Sequence, residues 1–225
     1  MSVELIDLLK AGVHFGHTKS KRHPSMEPYI FGVKQGIHII DLEKTQAMLD
    51  DAVKFVKEIT SKGGVILFVS SKKQAKDIIK AAAEKAGMPY INTRWLGGTL
   101  TNFANIISLT KKLKKLEEEQ AKGEWQRYTK KEALEREREI IHLKEMVEGI
   151  KNMSKLPDAV FIVDIKKDKT ALQEATKKEI PVIAILDSNC NAKNVKHLIP
   201  GNDDAVKSIT LITNTIADAC VGVKK

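Results

Sequence analysis

Residues 65–92 read VILFVSSKKQAKDIIKAAAEKAGMPYIN, and three segments follow one another in them. Val65–Ser70 is an almost wholly apolar run, the pattern of a strand covered on both faces. Ala75, Ile78, Ile79, Ala82 and Ala86 then recur at intervals that put them on one side of a helix, and Gly87-Met88-Pro89 stops it. A short second strand is predicted at Tyr90–Asn92. Strand, helix and strand in so short a stretch form a βαβ crossover, and such units build parallel sheets.

The alternation extends in both directions. Upstream, Ile37–Asp41 reads as a strand, and Met48, Ala52, Val53, Val56 and Ile59 read as the inner stripe of a helix. Downstream, Ala159–Asp164 and Val182–Asp187 read as two more strands. These five segments predict a parallel α/β sheet flanked by helices. Pro200-Gly201-Asn202-Asp203-Asp204 announces the last helix, with acids placed to cap its N-terminus, and Val206, Ile209, Thr213 and Ile216 continue it.

Residues 103–153 break this rhythm, because two charged helical stretches stand where one crossover helix is expected. Ile106, Leu109, Leu113 and Leu116 step by three and four, as do Ile140, Leu143, Val147 and Ile150, with a turn region at Lys122-Gly123-Glu124. The expected arrangement is an inserted antiparallel coiled-coil hairpin, residues 105–150, on an α/β body made of residues 1–104 and 151–225, with an ordinary helical subdomain as the alternative.

The chain has 225 residues and a formal charge of +9 with a pI near 9.4, which fits a polyanionic partner or simply a soluble basic protein. The hairpin holds eleven Lys and Arg against ten Asp and Glu, so eight of the nine surplus charges lie on the body. The longest apolar runs fall far below the ~20 residues of a membrane-spanning helix. The first residues, MSVELIDLLKAGVHFGH, carry Glu4 and Asp7 and lack the pattern of an export leader. Cys190 and Cys220, the two cysteines, are expected to be reduced core thiols of an intracellular protein.

The fold invites an enzyme reading, since ligands of α/β sheets bind beyond the carboxyl ends of the strands. Neither GxGxxG nor GxxxxGK[ST] is present. Asp164 and Asp187 end strands without an evident base, nucleophile or metal beside them, so helix capping is the expected role. Gly97-Gly98-Thr99 fits either a phosphate-binding turn or a tight turn with a Thr cap. His14, His17 and His23 lack a cysteine or carboxylate at ligand spacing, so no metal and no cofactor is expected. The basic stretch Lys19, Lys21, Arg22, His23 and Lys34, interleaved with Phe15, Tyr29 and Phe31, suits RNA phosphates with occasional base stacking. Arg94 and Trp95, beside the glycine turn, form a second candidate contact, Trp95 being either an RNA-facing ring or a core residue.

Three longer segments carry a resemblance: AGVHFGHTKSKRHPSMEPYIFGVKQGIHIIDLEKT at 11–45, RWLGGTLTNF at 94–103 and IPGNDDAVKSI at 199–209. Together with KKE at 130–132, LPDAVFIVD at 156–164 and IPVIAILDSNC at 180–190, they resemble the bacterial-type ribosomal protein S-two family over nearly the whole chain. Departures are local: Arg22-His23-Pro24 stands where the family has Trp-Asn-Pro, Ser70-Ser71-Lys72 where it has Gly-Thr-Lys, and Val147-Glu148-Gly149 where it has Leu-Gly-Gly. The resemblance implies a flavodoxin-like sheet with a projecting hairpin. It also implies a structural, non-enzymatic protein of the small ribosomal subunit that binds small-subunit rRNA in the cytoplasm or in an organelle. Neighbouring small-subunit proteins, with S-one among them, are the implied partners; no membrane and no small-molecule substrate are expected. A sugar-phosphate or nucleotide-binding α/β enzyme is the alternative, and a basic DNA-binding protein is disfavoured because no recognition-helix motif is present.

Overall fold

The computed structural model describes residues 3–123, 125 and 128–221. Five parallel strands form the main sheet: β4 (Ile66–Val69), β5 (Tyr90–Ile91), β6 (Ala159–Ile162), β7 (Val182–Leu186) and β8 (His197–Pro200). Their order is β5-β4-β6-β7-β8, which is the flavodoxin-like winding with its topological switch between β4 and β6.

Alternate strand residues face opposite layers. Ile66, Phe68, Phe161, Ile183 and Ile185 pack with helices α1 (Leu5–Lys10), α2 (Leu42–Ser61), α3 (Lys76–Ala86) and α7 (Val206–Val221). Leu67, Val69, Val160, Ile162 and Ala184 face α6 (Lys169–Lys177), Trp95, Leu100 and the base of a helical pair. All these strand residues are fully buried, and each Leu, Ile, Phe or Val contributes about 1.5–3 kcal/mol by leaving water. Both cysteines are buried.

One predicted strand belongs elsewhere. Ile37–Asp41 is not in the parallel sheet: β3 (Ile37–Ile40) is the centre of a separate antiparallel sheet, between β1 (Phe15–Thr18) and β2 (Ile30–Lys34). The turn Gln35-Gly36 joins β2 to β3 with both φ positive, at 52° and 78°, the backbone of a two-residue hairpin with the native twist. A short apolar run does not by itself distinguish a parallel from an antiparallel neighbour, and the turn decided. The fifth parallel strand is β8 instead, reached from β7 through loop 187–196 with no crossover helix.

The helical pair stands where the sequence places it. Helices α4 (Phe103–Ala121) and α5 (Lys130–Val147) run antiparallel, as their ion pairs require: Lys112 with Glu139, Arg136 with Glu119 at 3.0 Å, and Lys144 with Glu117 at 3.1 Å. Thr129 and Glu132 cap α5 reciprocally. The turn begins at Lys122 and Gly123; Glu124 lies outside the described residues. Ile106, Leu113, Leu116, Ile140, Leu143, Val147 and Ile150 form the buried seam, and Leu109 is only partly buried. The seam is continuous with the core beneath Leu67, Val69 and Ile91.

This continuity predicts two outcomes for two truncations. Replacing residues 112–141 with a short Gly/Ser turn keeps Ile106, Val147 and Ile150, so the body should retain cooperative urea unfolding and its near-UV circular dichroism. Replacing residues 105–150 also removes those three anchors, at about 2–5 kcal/mol for each large apolar side chain lost, and should leave a non-cooperative transition.

Candidate nucleic-acid interface

The strand ends of the parallel sheet carry an unusual concentration of charge. Lys72 follows β4, and its ammonium lies 2.8 Å from Asp203, 2.6 Å from Asp204 and 3.5 Å from Asp164. Its side chain is only 9% exposed. Burial opposes the charge on Lys72, but hydrogen bonds to Asp203 and Asp204 outweigh it and hold the ammonium above its ordinary pKa. Burial, with Asp164 nearby, pushes Asp203 up to about 7 against the pull of Lys72. The acids expected to cap α7 are engaged by Lys72 instead, Asp203 buried and Asp204 at the exposed rim, and Asn202 makes the turn, its Oδ1 accepting from the N–H of Asp204 at 2.8 Å and Ala205 at 3.0 Å.

His17 joins this cluster from β1. Its Nδ1 lies 2.8 Å from Asp187 and its Nε2 lies 3.6 Å from Asp204, while its backbone N–H donates to Asp187 at 3.0 Å. The hydrogen bond to Asp187 raises the His17 pKa against partial burial. Asp187 thus ties the N-terminal segment to β7 and caps no helix. Asp164 caps no helix either, since α6 begins after Asp168; its Oδ1 holds the preceding turn, accepting from the N–H of Lys166 at 2.9 Å and Lys167 at 3.0 Å. Ligand atoms of His17, Asp187, Asp203 and Asp204 lie within 4.8 Å of one another, a donor set a divalent cation can use, although Lys72 already engages two of the carboxylates. His14 and His23 do not join it.

The glycine turn is also occupied from within. Glu174 on α6 is 8% exposed and accepts five hydrogen bonds there: from Trp95 Nε1 at 3.1 Å, the N–H groups of Gly98, Leu100 and Thr101 at 2.7, 2.9 and 3.1 Å, and Thr101 Oγ1 at 3.1 Å. Gly98 has φ +92°, which lets successive N–H groups converge on one anion. Burial pushes the Glu174 pKa up, but these donors outweigh it and leave it below the ordinary value. The anion held at the glycine turn, by Gly98, Leu100 and Thr101, is thus the protein's own carboxylate. Trp95, 7% exposed with its N–H committed, is a core residue, which corrects its candidacy as an RNA-facing ring.

The remaining predicted contacts are distributed unevenly. Lys21 and His23 border two cavities at the carboxyl edge, of about 330 and 440 Å³. Arg94 borders a third, of about 570 Å³. Lys166 is shared by the first two and Lys167 by the first and third, so these lysines join sequence-distant contacts into one rim. Arg22 is exposed and paired with Glu27 at 3.0 Å. Lys19 lies on a 3-10 turn, and Lys34 ends β2 on the antiparallel sheet; both are exposed and neither borders the three cavities. Lys72, Lys166, Lys167 and Glu174 were not singled out from sequence. The signal for the lysine pair is their place directly after a strand closed by Asp164.

Replacing Glu174 by Gln points an NH₂ at N–H donors, and stability should fall by about 1–3 kcal/mol in urea unfolding. Because the folded pKa is depressed, the difference from wild type is fully present above the ordinary glutamate range. It should shrink as pH falls through the folded value. Lys72→Ala strands the surrounding carboxylates and should cost about 3–5 kcal/mol at neutral pH, again by urea unfolding.

Comparison with known proteins agrees with this architecture. The family model described as Ribosomal protein S2 matches residues 8–222. The chain is 48% identical over 219 residues to the small ribosomal subunit protein uS2 of Chloroflexus aggregans, covering 97% of this chain and 92% of that one. It is 47% identical over 220 residues to the uS2 protein of Acidobacterium capsulatum, covering 98% of this chain and 73% of the relative. With the model spanning nearly all of a sheet wound in the order found here, the chain belongs to the ribosomal protein S2 family.

Proposed function

We infer that this chain is a structural constituent of the small ribosomal subunit that binds small-subunit rRNA through the basic rim at the carboxyl edge of its sheet. The observation that carries the reading is the convergence of Lys21, His23, Arg94, Lys166 and Lys167 on one edge. Lys19, Arg22 and Lys34 extend the basic surface away from it. The family membership supplies the assembly, since the relatives bear the name of a small-subunit protein.

A structural role fits the chemistry of the edge. An α/β enzyme leaves its strand ends open to substrate. Here Lys72 is clasped by carboxylates and Glu174 fills the turn that a phosphate would use, which argues against the sugar-phosphate enzyme reading. Residues 105–150 act as a docking arm for neighbouring small-subunit proteins, S-one being the candidate that the resemblance brings, while residues 1–104 and 151–225 form the RNA-binding body. Among the described residues no helix is long and apolar enough to cross a membrane, and the proposed site of action is the small subunit in the cytoplasm or in an organelle.

The logarithm of the affinity for transcribed small-subunit rRNA should fall linearly with log salt, with a slope of roughly −0.7 to −0.9 for each phosphate neutralised. Arg94→Ala and Lys167→Ala should each reduce the magnitude of that slope by about one in filter-binding titrations, and Lys111→Ala on the hairpin should not. A salt-independent affinity would overturn the electrostatic reading.

A further inference from the structure

The second of the rim cavities differs from its neighbours. It lies between α6 and residues 189–194, and its volume of about 440 Å³ falls within the roughly 300–1,000 Å³ of small-ligand pockets. Ile165 and Leu172 give it apolar lining. Gln173 and Asn194 line it with amide side chains that have no hydrogen bond among the described residues. Among the described residues Asn189 and Asn191 use only their carbonyl oxygens, accepting from Cys190 Sγ at 3.1 Å and from the Lys193 N–H at 3.0 Å. His23 closes one end, its Nδ1 held 2.7 Å from Ser25 Oγ, which fixes the ring. Lys166, Lys169 and Lys193 also border the cavity, no carboxylate does, and none of the three is ion-paired among the described residues.

We propose that this cavity holds one splayed-out nucleotide of RNA, with its base against Leu172 and the imidazole of His23, its polar edge on Gln173 and Asn194, and its phosphate beside the lysines. The proposal rests on the RNA-binding reading above. A side-chain amide offers a donor and an acceptor side by side, the pattern that pairs with a base edge. Unstacked bases find histidine faces and aliphatic surface where a bare phosphate gains nothing. Three unpaired ammonium groups disfavour an uncharged apolar occupant, because it would leave them without a counter-charge.

The test is titration of the full-length ¹⁵N-labelled protein with single-stranded adenosine and uridine pentaribonucleotides, an abasic ribose-phosphate pentamer and AMP. Retention of transcribed small-subunit rRNA on filters is measured in parallel. At least one pentaribonucleotide should shift the side-chain amide resonances of Gln173 and Asn194 and bind about five- to a hundredfold more tightly than the abasic pentamer. Gln173→Ala, at an exposed position, should remove most of that margin while rRNA retention persists. Equal binding of the abasic pentamer, with both amides unmoved and rRNA still retained, overturns the pocket and leaves the RNA reading standing. AMP binding as tightly as the pentamers assigns the cavity to a free nucleotide and overturns it too, and loss of all rRNA retention at low salt overturns both readings.

Discussion

One buried ammonium organises the carboxyl edge of this sheet. Lys72 comes from the loop after β4, Asp164 from the end of β6, and Asp203 and Asp204 from the turn after β8. Burying that charge alone would cost several kcal/mol, and so would burying the acids without it, so each makes the other tolerable. The geometry ties the first strand of the winding to the last across the two strands between them. His17 extends the same network to the N-terminal segment through Asp187 and Asp204.

A buried carboxylate works in the same way beneath the glycine turn. Glu174 satisfies the converging N–H groups of the glycine turn and fixes the indole of Trp95 beneath it, so the neighbouring Arg94 projects from a rigid base. Both devices fill from within the positions that a ligand occupies in enzymes of this winding. What is left for a partner is the surrounding rim, where Lys21, Arg94, Lys166 and Lys167 stand exposed.

Much of this was legible in the sequence. The βαβ unit at 65–92, the strands at 159–164 and 182–187, and both hairpin seams follow from periodicity, because burial on one or two faces leaves a period that can be counted. β8 was not legible, since it follows a loop and not a helix, and alternation was the only cue for a parallel strand. Ile37–Asp41 was legible as a strand but not as an antiparallel one; the Gln35-Gly36 turn carried that information. At the site, Lys21, His23 and Arg94 could be named from local composition. Glu174 could not, because its meaning comes from a turn more than seventy residues upstream that only the folded chain brings beneath it.

The attachments of the N-terminal segment set a schedule for the making of this protein. Val13, His17 and His23 are fastened to Asn202, Asp187 and Ser188, partners 165 to 189 residues later in the chain. At roughly 5–20 residues per second of synthesis, the segment waits on the order of ten to thirty seconds for the residues that receive it. Lys21 and His23 acquire their positions only when the last third of the body has been made. A prematurely terminated chain therefore lacks the assembled rim, and only a finished copy presents it to a partner.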